Sequence, residues 1–191
     1  MPLQREQDMK ISDRAKQGFD QIVQHCMRTT LVPSGYTVSD FETLDAHAAS
    51  GGVVMLTVAS STFSLTLFLH YDTDATSRAK LAALHGLDAN SLSDQALDDA
   101  LAEAGNMFCG ALNRELGRIF PLVGMSTPNR LKARCVDHLK LLRYGHLRHF
   151  RMSLQDGSDR RASYCICAYG DVDFAPQVIE EDVGTGELEL F

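Results

Sequence analysis

No apolar run in this chain of 191 residues comes near the ~20 that a membrane-spanning helix needs. The longest, 53–58 and 63–69, have the length of buried strands. The first residues carry no basic region, apolar region and cleavage site of a secretory leader. The sequence also lacks a disulfide framework. Its five cysteines (Cys26, Cys109, Cys135, Cys165 and Cys167) are odd in number and irregularly spaced. These features predict a reducing, cytoplasmic setting with no membrane insertion. An excess of positive charge is missing as well. Eighteen Lys and Arg stand against 25 Asp and Glu, for a net charge of −7 and a pI near 5.4. That balance argues against a nucleic-acid partner. Internal repeats and low-complexity segments are absent.

No C-x2-C pair occurs, although Cys135, His138, His146, His149, Cys165 and Cys167 are residue types that bind zinc. Buried cysteines and surface histidines account for them better, and no metal site is expected. The basic residues Lys132, Arg134, Lys140, Arg143, Arg148 and Arg151 read as a solvated face, the alternative being a phosphate or acidic-partner surface. Ser60-Ser61 and Ser126-Thr127 sit in turns with no base nearby in sequence, which disfavours nucleophilic catalysis.

What is present suits one globular domain able to fold without staples. Residues 12–27 repeat apolar positions at helical period, with Ser12 and Asp13 at the start. Strands are expected at 36–44, 53–59 and 63–70, the last two as a hairpin. A helix is expected at 75–85 with Gly86 after its cap. A longer one, capped by Ser91 or Ser93, runs to about Phe120 and is stopped by Pro121. A short helix at 134–142 precedes a second hairpin, 146–154 and 161–169, around Asp156-Gly157. The predicted class is α+β, a largely antiparallel sheet packed against two long helices. The predicted organisation is a flexible segment 1–14, a domain 15–175 and a loosely held acidic tail 176–191.

The long helix carries the chemistry. Asp99, Glu103 and Asn106 read D-x3-E-x2-N. At 100° per residue, Asp99, Asn106, Gly110, Asn113 and Gly117 fall within roughly 80° of Glu103. Leu101, Phe108, Leu112, Leu116 and Ile119 fall opposite, as a core stripe. Glu103 and Asn106 therefore point outward, about 5–6 Å apart at Cβ. A solvated face is the usual fate of such residues. Two choices point further. Asn is a poor helix former, and a helix-interior Gly costs about 0.5–1 kcal/mol relative to Ala. Gly110 and Gly117 lie on this same face, where close approach by another surface would justify them, whether a partner or a neighbouring helix of the same fold.

D-x3-E-x2-N, followed after three further residues by Gly110, and then Pro128 in a Ser-Thr-Pro turn, resembles the motif of the CheC/CheX/FliY chemotaxis phosphatases. The element order over roughly 15–170 is similar too, and the single E-x-x-N motif is closer to CheX than to CheC. The resemblance implies an enzyme that hydrolyses the aspartyl phosphate of a CheY-type response regulator. Asn106 would orient the attacking water and Glu103 would pair with a regulator lysine. Asp99, Gly110 and Pro128 would support the site. The Mg²⁺ would be the regulator's, with no cofactor held by this chain, and a homodimer is implied. FliM-type relatives imply the alternative, a non-catalytic docking module on the same fold.

Overall fold

The computed structural model describes residues 10–46, 51–84 and 93–175. Helix α1 (Asp13–Thr30) begins where Ser12 Oγ accepts the Ala15 N–H at 3.1 Å. Its predicted apolar positions, Ala15, Phe19, Ile22, Val23 and Cys26, are all buried. It continues past the predicted end at residue 27. The Thr30 hydroxyl donates to the Cys26 carbonyl at 2.7 Å, and Leu31 N–H closes the last turn on Met27. Strands β1 (Val38–Leu44), β2 (Gly52–Ala59) and β3 (Phe63–Tyr71) follow, then α2 (Ala75–Leu84) and α3 (Asp94–Gly117). Ser93 caps α3, its Oγ accepting the Ala96 N–H at 3.1 Å. Ser91, His85 and Gly86 lie outside the described residues.

The remaining elements are β4 (Gly124–Met125), β5 (Asn129–Lys132), a 3-10 helix (Ala133–Leu141), β6 (His146–Leu154) and β7 (Asp159–Ala168). The class is α+β, with a sheet of seven antiparallel strands. It runs β1-β6-β7-β3-β2, with β4 and β5 both paired to the outer edge of β2. Helices α1 and α3 pack on one face, over Val54, Leu56 and Val58 of β2 and Leu65 and Leu67 of β3.

Four elements differ from expectation. Helix α3 stops at Gly117 rather than near Phe120. The Ile119 and Phe120 N–H groups still donate to the Leu116 carbonyl in a tightened last turn, and the Phe120 ring packs against Phe19 and Phe63. The helix expected at 134–142 is a 3-10 helix at Ala133–Leu141. Its buried residues Ala133, Val136 and Leu139 recur every third position, the 3-10 period, and cover Val53, Phe68 and Cys165 on the sheet's other face. Strands β4 and β5 have no signature in the sequence, being two and four residues long, wholly exposed and without alternation.

Behind the helix face lies a polar cluster that no motif announces. Asp20 of α1 accepts hydrogen bonds from the Tyr164 hydroxyl, from His146 Nε2 at 2.9 Å and from Arg148 Nε at 3.3 Å. Burial alone would raise the Asp20 pKa. The hydrogen bonds from His146 and Tyr164, with the nearby cations, overcome it and hold the carboxyl below its ordinary value. A carboxylate with a depressed folded pKa adds stability above its unfolded pKa of ~3.9, and that stability is lost as pH falls through the folded value. The unfolding midpoint is therefore expected to drop as pH falls below about 4. Asp20→Asn should destabilise the protein at neutral pH and flatten that acid limb. Equal acid slopes for both proteins in urea titrations would contradict the assignment.

Candidate functional site

Helix α3 lies over the outer part of the sheet. Gly105 makes this possible: a Cβ there would stand 2.9 Å from Val54 Cγ1 and 3.1 Å from Leu56 Cδ1. Backbone and strand thus meet closely at the position between Glu103 and Asn106, which sets the height at which that pair stands. Leu101, Phe108, Leu112 and Leu116 are buried beneath. Glu103 is exposed and Asn106 half-buried. Neither side chain makes a hydrogen bond or ion pair among the described residues.

The flanks of this face are tied down. Asp99, exposed, accepts a hydrogen bond from Gln95 Nε2 at 2.8 Å within its own helix. Its neighbour Asp98, which no motif marks, forms an ion pair with Arg130 at the start of β5. That bond fastens the front half of α3 to the sheet edge. Pro128 occupies the gap between β4 and β5. Having no N–H, it cannot extend the ladder, so an edge-strand break suits it. There Ser126 substitutes for the missing pairing, accepting the Thr57 N–H at 3.0 Å through Oγ and donating its own N–H to the Thr57 carbonyl at 2.9 Å.

Gly110 and Gly117 have open space where a Cβ would go. Among the described residues, then, no helix of this fold makes the close approach considered as one explanation for them. Gly110→Ala should accordingly stabilise the protein by about 0.5–1 kcal/mol. If another molecule docks on this face, the same substitution should weaken that docking. A raised unfolding midpoint with partner affinity unchanged would mean that Gly110 faces only solvent.

The other candidate residues do not assemble. His146 reaches Asp20 on the helix side of β6, whereas His149 lies on the opposite face with Nδ1 2.7 Å from Ser163 Oγ. Both histidines are buried, where surface positions were expected, because each finds a polar partner inside the fold. Among the described residues no three His, Cys, Asp or Glu groups converge as a metal site. Burial pushes the Cys165 thiol up to about 12. The basic residues form no single patch either: Arg148 pairs with Asp20 and Arg151 with Glu42 across the two faces of one strand. No helix among the described residues is long and apolar enough to cross a membrane.

No protein-family model matches the sequence, and no curated protein does. Solved structures do match its fold. The CheX–CheY–BeF3–Mg²⁺ complex from Borrelia burgdorferi superposes with a TM-score of 0.54 at 16% identity, over 78% of this chain and 96% of that one. The chain has the fold of the CheX and CheC-like chemotaxis proteins. A CheC-like superfamily protein from Shewanella sp. PV-4 matches at TM-score 0.52 and 12% identity, over 79% of this chain and 96% of that one. The FliM–SpeE complex from H. pylori also matches this fold, at TM-score 0.52 and 10% identity over 82% of this chain and 89% of that one.

Proposed function

We propose that this protein is a CheX-like phosphatase that removes the aspartyl phosphate of a CheY-type response regulator. One observation carries the reading. Glu103 and Asn106 stand side by side away from the core, uncommitted among the described residues, with the open Gly110 position beside them. Such a pair is half of a site. Phosphoryl transfer needs positioning and charge stabilisation rather than a covalent protein intermediate. An amide offers one acceptor and two donors, enough to hold a water in one orientation. Asn106 would place the water in line with the phosphorus. Glu103 would pair with a cation of the regulator and fix the register of docking. Asp99, Gly110 and Pro128 would shape the surface around them. The regulator would bring both the phosphoryl group and its Mg²⁺. A cytoplasmic homodimer belongs to the same reading.

The second reading is a docking module without catalysis. Its support is the comparable fold match to the FliM–SpeE complex. The lifetime of a phosphorylated CheY-type regulator, measured with and without the protein, separates the two. A shortened lifetime supports the phosphatase. Tight binding that leaves the lifetime unchanged supports the module and overturns the catalytic reading.

A further inference from the structure

A cavity of about 1040 Å³ opens at the end of the sheet where β3 stops and the β6–β7 turn comes round. That is just above the ~300–1,000 Å³ typical of small-molecule sites. One side is apolar and includes Leu101, Ala104 and Met107 of α3, the last 54% exposed. The cavity lining also includes Lys80, Arg151, Arg160 and Arg161, with the carboxylates Asp72 and Asp159, and Asp156 acts on both Lys80 and Arg160. Two of the cations are neutralised locally, Arg161 by Asp72 and Arg151 by Glu42. Lys80 and Arg160 form no ion pair among the described residues. Arg160 Nη1 donates to the Asp159 carbonyl at 3.0 Å, while its enclosed Nη2 has no acceptor among the described residues. A half-buried guanidinium with an unused donor is costly unless an anion completes it. Burial also presses the Arg160 pKa down, against the pull of Asp156 and Asp159.

We infer that this cavity binds a small amphipathic anion, its apolar body against Leu101, Ala104 and Met107 and its carboxylate or phosphate head toward Arg160 and Lys80. Ala104 and Met107 are the chain neighbours of Glu103 and Asn106, so an occupant would bear directly on the helix that carries the pair. The inference stands on the cavity and its charges, and survives failure of the phosphatase reading.

Calorimetric titration of the full chain with octanoate, octyl phosphate and octylammonium tests it. At least one of the two anions should bind saturably at one per chain, and the comparison between them identifies the head group. Octylammonium should bind about tenfold more weakly or not at all, since the same cations repel it. Lys80→Glu, on the exposed side of α2, should weaken the anion about tenfold, the loss expected for one charge-assisted contact. Ala104→Trp should block binding by filling the apolar side, with the unfolding midpoint recorded alongside. If that variant loses its fold, the Lys80→Glu result decides. Absence of saturable anion binding, equal affinity for octylammonium, or an affinity unmoved by Lys80→Glu would each overturn the assignment.

Discussion

Asn106→Ala is expected to slow dephosphorylation of a phosphorylated CheY-type regulator by about 100-fold or more, the scale on which a misplaced reacting group loses rate. Stability should not account for the loss. Asn106 is half-buried and bonded to no described residue, and Ala is the better helix former. The unfolding midpoint should therefore hold or rise slightly while the rate collapses. Glu103→Ala should behave differently. If Glu103 fixes docking, its removal raises the concentration of regulator needed for half-maximal rate and leaves much of the rate at saturation. The measurement is phosphate release over a range of regulator concentrations for the three proteins. Equal rates for wild type and Asn106→Ala would sink the role given to Asn106, whatever happens at position 103.

The outward placement of this pair is legible in the sequence because it depends on one periodicity. The stripe Leu101, Phe108, Leu112, Leu116 is buried, so residues about half a turn away must lean outward. The same logic serves α1 and the β2–β3 hairpin, whose buried residues alternate along much of each strand. It fails where the deciding contact is remote in sequence. Phe120 leaves the helix because rings from α1 and β3 receive it. Strands β4 and β5 exist only because β2 offers an edge to pair with. The Asp20 cluster joins residues 126 and 144 positions apart. The cavity is harder still to foresee, since α1, α3 and the ends of several strands supply its walls. Gly105 is legible as a costly helix glycine, but its cause, the closeness of Val54 and Leu56, lies in another element.

Phe19→Ala is expected to produce the largest loss of stability, about 3–5 kcal/mol as for other buried Phe truncations. The ring is fully buried. It meets Phe63 edge-on at 5.2 Å and Phe174 at 5.0 Å, and stacks on Phe120 at 6.1 Å. Those partners come from β3, from the chain after β7 and from the turn after α3, so one ring ties three remote segments to α1. Phe120 and Phe174 also touch each other, at 5.3 Å. Phe174 in addition lies so close to Gly18 that a Cβ there would stand 2.3 Å from the ring. The cluster therefore cannot easily collapse into the space that Phe19 would vacate, and the cavity penalty should be felt in full. Domains of this kind hold about 5–15 kcal/mol in all, so the variant should unfold at much lower urea with an unchanged slope. A loss below about 1 kcal/mol would mean that Phe120 and Phe174 repack after all. Set beside Asn106→Ala, the variant separates scaffold from chemistry. Phe19→Ala should keep its activity per folded molecule in the cold, because the outward face of α3 is anchored independently by Gly105 on β2 and by the Asp98–Arg130 pair. Asn106→Ala should be fully folded and inactive.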